Sequence, residues 1–140
     1  MARYLIVANQ TLGGDLLAER VQKLMAEGPC SFHVVVPATY TKDHAIHIDG
    51  EAHAVAEKRL QAALERFRSL GADVTGEVGD ASPMLAVRDC FVASNVYDAV
   101  IVSTLPAGVS KWLHQDLPHR LERRYGLPVM QVTGEYERVG

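Results

Sequence analysis

A doubly wound α/β fold, with five mainly parallel strands and helices on both faces of the sheet, is predicted by three observations. Short β-rich apolar runs alternate along the chain with longer stretches of helical periodicity. The runs "YLIVAN" and "DAVIVST" are almost continuously apolar, as strands covered on both faces must be. The segments between runs are long enough for the crossover helices that parallel pairing requires.

Each element follows in order. "YLIVAN" (4–9) is the first strand. "GGDLLAERVQKLMAEG" (13–28) sets Leu16, Leu17, Val21, Leu24 and Met25 at helical spacing, and Gly28 and Pro29 stop that helix. "FHVVVPA" (32–38) is a second buried strand ended by Pro37. After the polar "TYTKDHAIHIDG", a long helix over 51–70 carries Val55, Leu60, Leu64 and Phe67 on one side, with Gly71 as its C-cap. "ADVTGEVGD" (72–80) is a more polar strand, suited to a sheet edge. Ser82 caps the next helix and Pro83 takes its first position, followed by Met84, Leu85, Val87, Phe91 and Val92. "DAVIVST" (98–104) is the fourth strand, "HRLERRYG" adds helix, and "LPVMQVT" (127–133) is the fifth strand.

With 140 residues, no internal repeat and no linker, the expected organisation is one domain over 1–134 and a frayed tail over 135–140. A formal charge of −3 gives no polycationic surface for nucleic acid or anionic lipid. No apolar stretch reaches the roughly 20 residues that span a bilayer. The chain starts on the strand-like "RYLIVAN", without a signal-peptide pattern, so a cytoplasmic protein is expected. Cys30 and Cys90 have no metal-ligand spacing between them and read as buried reduced thiols.

In doubly wound sheets, ligands sit beyond the carboxyl ends of the strands at the topological switch point. That directs attention to segments 9–15, 37–50, 79–83 and 103–118. Gly79, Asp80, Ser82 and Pro83 form a "GD-x-S-P" motif after the third strand, "YDAVIVST" precedes the loop at 103–118, and "YGLPVMQV" closes the chain's last strand. In this order and spacing, the chain resembles the universal stress protein family over nearly its whole length. The resemblance implies an adenine nucleotide alpha-hydrolase-like domain, dimeric through its last strand. The pairing edge would then be Val129, Met130, Gln131 and Val132. It also implies that the fourth-strand loop can hold ATP with magnesium, since many members bind ATP while others have lost the motif.

ATP-binding members carry an Asp at the end of the first strand and a loop of the form G-x2-G-x9-G-[S/T] after the fourth. This chain departs from both. Asn9 stands where the Asp would, followed by Gln10 and Thr11. Counting back from "LPVMQV", Gln115 and Asp116 fall where Gly and Ser or Thr belong, and no glycine lies between Val102 and Leu105. Gly108 corresponds to an extra glycine inside the spacer. A phosphate cradle needs close backbone approach, which a Gln115 side chain crowds. A carboxylate about 4 Å from a phosphate oxygen costs roughly 1 kcal/mol in water and about 4 at an effective dielectric of 20. Lys111, His114 or magnesium would offset part of that for Asp116. Asp116 also reads as the N-cap of the last helix, with Leu117 and Pro118 following and Arg120 placed for a local ion pair.

If a nucleotide site is retained, its residues are Asn9, Gln10, Thr11, Val36, Pro37, Ser103, Thr104, Gly108, Ser110, Gln115 and Asp116. Asn9 suits either a ribose or adenine hydrogen bond or a local turn. Trp112 and Leu113 read as packing residues beneath the loop, and His33 as a packed or edge residue of its strand. His44, His47 and His53, with Asp43, Asp49 and Glu51, are dense enough to suggest a metal-binding module, though their spacing matches no metal motif. No Ser-His-Asp set or activated cysteine is visible. The function expected is a non-enzymatic, dimeric regulatory or stress-response protein with weak or no ATP binding. The alternatives are a nucleotide sensor or slow ATPase, and a metal-binding module through residues 43–53.

Overall fold

The structure, a computed structural model, describes residues 1–38, 49–94, 96–105, 112 and 116–134. Its strands are β1 (Ala2–Val7), β2 (Cys30–Pro37), β3 (Val74–Gly79), β4 (Ala99–Thr104) and β5 (Val129–Thr133). Its helices, among the described residues, are α1 (Asp15–Glu27), α2 (Asp49–Ser69), α3 (Pro83–Ala93) and α4 (Leu117–Tyr125). All strand pairs are parallel, in the order β3-β2-β1-β4-β5, so the doubly wound sheet expected from the alternation is present. β1 is central, and the chain leaves it first towards β2 and later returns to its other side through β4. The switch point is therefore the crevice between the carboxyl ends of β1 and β4.

Alternation along the strands divides the core in two. Ile6, Val34 and Ile101 face α1 and α2, where Leu17, Val21, Leu60, Leu64 and Phe67 cover them. Leu5, Val7, Val35, Val100 and Val102 face α3 and α4, beneath Ala86, Val87, Cys90, Leu117 and Leu121. A fully buried side chain such as Leu121 contributes roughly 1.5–3 kcal/mol over an exposed one. Not every apolar position predicted for a helix face is covered. Leu16 is 50% exposed and Val92 is 80% exposed, because each lies at the margin of its helix's apolar stripe.

The punctuation residues act largely as read. Ser82 Oγ accepts from the Leu85 amide, with Pro83 in the first turn of α3. Gly71 closes α2 at φ +94°, donating to the Arg68 carbonyl at 3.0 Å. β3 and β5 are the two edges of the sheet, as the polar "VTGEVG" and the closing-strand motif suggested. Gly79 lets α3 approach: a Cβ there would lie 2.8 Å from Ala86 Cβ and 2.9 Å from Val35 Cγ2. No helix among the described residues is long and apolar enough to cross a membrane. The tail at 135–140 lies outside the described residues.

Candidate functional site

β1 ends at Val7, two residues earlier than the apolar run suggested, because the chain turns immediately after it. The Leu12 amide donates to the Asn9 carbonyl and the Gly14 amide to the Thr11 carbonyl. This tight turn keeps Asn9 and Thr11 buried at the switch point, with Gln10 half-buried beside them. Asn9 Nδ2 donates to the Pro37 carbonyl at 2.7 Å, tying the end of β1 to the end of β2. Its Oδ1 accepts from Arg59 Nη1 at 2.6 Å. Asn9 thus opens the turn through its carbonyl, while its side chain is taken up by Pro37 and Arg59. It ties two strand ends to a helix.

On the other wall, Ser103 and Thr104 are buried at the end of β4. The hydroxyls of Thr11 and Ser103 share a 2.5 Å hydrogen bond across the crevice. Thr104 Oγ1 is buried and has no hydrogen-bond partner among the described residues. The Gly134 amide donates to the Thr104 carbonyl at 2.8 Å, and a Cβ on Gly134 would lie 3.2 Å from Thr11 Cβ. The end of β5 therefore closes against the same turn. Val36 is packed into the α1/α2 core, so of the β2 end only the Pro37 carbonyl takes part in the polar set.

Asp116 heads α4 as expected, with Pro118 in the first turn, but its carboxylate does not cap the helix. Its backbone is left-handed, at φ 55° and ψ 41°, whereas a side-chain N-cap needs an extended residue. The carboxylate instead meets His119 Nδ1 at 2.8 Å, with Arg123 Nη2 3.9 Å away. The expected partner, Arg120, meets Asp116 only through the backbone, its amide donating to the Asp116 carbonyl. A left-handed backbone favours glycine and tolerates Asp or Asn. The glycine-like conformation thus falls on Asp116, one residue beyond the position that the family pattern assigned to glycine.

The structure brings together Asn9, Thr11, Pro37, Ser103 and Thr104. Gly108, Ser110, Lys111, Leu113, His114 and Gln115 lie outside the described residues, as do Asp43, His44 and His47. His53 is exposed on α2. Trp112 packs against the cluster containing Leu117 and Leu121, the structural role expected of it. Sequence reasoning missed Arg59. Its helix was legible, but nothing in "EKRLQ" says which side chain reaches a site fifty positions away.

No protein-family model matches the chain, and no curated protein matches it in sequence. Solved structures do match. A universal stress protein crystallised in complex with cAMP superposes with a TM-score of 0.61 at 17% identity, covering 96% of this chain and 98% of that one. A protein from the universal stress protein family of Burkholderia pseudomallei superposes with a TM-score of 0.63 at 11% identity, covering 95% and 96%. At such identities the likeness is one of fold, and it runs nearly end to end. This chain has a universal-stress-like α/β fold.

Proposed function

We propose that this chain is a universal-stress-like regulatory protein, not an enzyme, acting in the cytoplasm as a homodimer with at most weak affinity for adenine nucleotides. One observation carries the nucleotide part of this reading. The switch-point crevice is lined by buried amide and hydroxyl groups, and Asn9, standing where ATP-binding relatives have an acid, is held by both Pro37 and Arg59. Such a floor suits neutral recognition of a nucleoside but supplies little for a triphosphate. The complex of a similarly folded universal stress protein with cAMP supports the ligand class. At the head of α4, Asp116 opposes phosphate. Among the described residues, Thr11 and Ser103 bond to each other rather than to an imidazole or carboxylate base, which speaks against an activated nucleophile. The chain is read as one domain over 1–134.

Calorimetry with ATP, AMP and cAMP, with and without Mg²⁺, tests the reading on the wild type and on Asp116→Asn. Asn keeps the shape and tolerates the left-handed backbone while removing the charge. We expect weak binding by the wild type and a gain of roughly fivefold or more in ATP affinity for the variant, from about 1 kcal/mol of relieved repulsion. Micromolar ATP binding by the wild type, with no gain in the variant, would show that Asp116 is no obstacle.

The dimer is assigned to the β5 edge, where Val129 and Met130 are half-buried and β4 occupies one side of the strand. Gln131→Pro removes an amide from the open edge, because the parallel register turns the Met130 amide towards β4 and the Gln131 amide away from it. Light scattering should then give half the wild-type mass in a protein that remains folded; an unchanged mass would move the interface elsewhere.

A further inference from the structure

On the α3 face of the sheet, away from the crevice, three potential metal ligands converge from three different elements. His33 (β2), Glu77 (β3) and Cys90 (α3) place their donor atoms within 4.8 Å of one another. His33 Nε2 lies 3.3 Å from Glu77 Oε2, and Cys90 Sγ lies 3.6 Å from Glu77 Oε1. Zinc bonds of about 2.0–2.3 Å in a tetrahedron set neighbouring donors about 3.5 Å apart, and the Glu77 carboxylate already sits at that spacing from each of the other two, one oxygen towards His33 and one towards Cys90. Cys90 is buried, His33 half-buried and Glu77 exposed, so the group runs from the core to the surface. It borders a cavity of about 390 Å³ lined in part by Arg3, Ser31, Thr75 and Tyr97.

We propose that His33, Glu77 and Cys90 form a binding site for a zinc-class divalent cation. The imidazole is already oriented for it. Nδ1 is hydrogen-bonded to Thr75 Oγ1 at 2.7 Å, which leaves Nε2 as the nitrogen facing Glu77, the arrangement outer-shell partners impose on metal-bound histidines. One soft sulfur, one imidazole nitrogen and one carboxylate oxygen match zinc better than calcium or magnesium, which take oxygen sets. Water from the cavity completes a four-coordinate shell. In the metal-free state the Cys90 thiol is pushed up to about 12, first by burial and then by the Glu77 carboxylate. Metal capture therefore expels a proton. The bound ion ties α3 to the β2–β3 edge. This site is independent of the crevice and uses none of its residues.

The test is titration of the full chain, stripped of metal, with Zn²⁺ by calorimetry and with Co²⁺ by absorption. One equivalent should bind, with a sulfur-to-cobalt charge-transfer band that survives Cys30→Ser and disappears in Cys90→Ala. His33→Ala and Glu77→Gln should each weaken binding at least about tenfold, and Thr75→Val about tenfold through the lost orienting bond. Glu77 is exposed, so its variant tests the site without endangering the fold. A cobalt complex lacking the sulfur band, affinity unchanged in Glu77→Gln, or binding that vanishes in a His44/His47/His53 triple alanine variant would overturn the assignment. Failure to bind one equivalent would do the same.

Discussion

The crevice between β1 and β4 and the cluster beneath α3 hold their polar groups in different ways. In the crevice, buried neutral groups bond to one another and to one part-buried cation: Asn9 to Pro37 and to the Arg59 guanidinium, Thr11 to Ser103. Beneath α3, an imidazole, a carboxylate and a thiol meet beside an open cavity. The first is where doubly wound folds usually place ligands, yet much of its bonding capacity is used in joining strand ends. The second lies at an edge of the sheet, where the three side chains bond to one another through Glu77 but are of the chemistry that takes an ion. Polar satisfaction makes a site rigid, while a convergence of ionisable donors makes it receptive.

The largest expected effect would unseat the second region. Gly79→Ala places a Cβ against Ala86 and Val35, and should cost about 3 kcal/mol, the upper end of overpacking penalties. Because α3 carries Cys90, zinc affinity should fall with stability; urea unfolding and zinc titration on the same preparation would show both. A stable variant with intact zinc binding would mean that α3 does not depend on this close seat.

Breaking the crevice should have a smaller and separable consequence. Asn9→Ala leaves the buried Pro37 carbonyl without its donor and removes the Arg59 contact, costing about 2 kcal/mol. Zinc affinity should not change. A joint loss of zinc affinity would show that the two regions are coupled through β2.

The smallest effect belongs to Thr104→Val. Its hydroxyl is buried without a partner among the described residues, so removing it should be neutral or stabilising by up to about 1 kcal/mol. If that hydroxyl is the crevice's contact with a nucleotide, affinity for AMP or cAMP should drop while thermal stability holds. Reduced stability instead would give Thr104 a structural bond.

Much of the fold was legible because it is written locally. Continuous apolar runs marked β1, β2 and β4 as strands covered on both faces, and "VTGEVG" marked β3 as an edge. The candidate site was legible only in part. Asn9, Thr11, Ser103 and Thr104 could be placed from strand ends alone, since switch-point geometry follows from topology. Asp116 was misread in its conformation: a residue suited to N-capping stands at a left-handed turn, so its carboxylate goes to His119. His33 was read as a packed or edge residue because its partners are 44 and 57 positions distant.

The sequence by itself determined the alternation of strands and helices, the Ser82–Pro83 start of α3, the polar and apolar character of the two edges, and the departure from the family's glycine pattern. These follow from periodicity and from residues acting on their own neighbours. Only the tertiary structure decided that Thr75 lies opposite His33, that Cys90 faces Glu77, and that Arg59 reaches Asn9. Strand register and helix seating are set by the packing of the whole sheet. A shift of one residue would turn His33 to the opposite face and disperse the cluster.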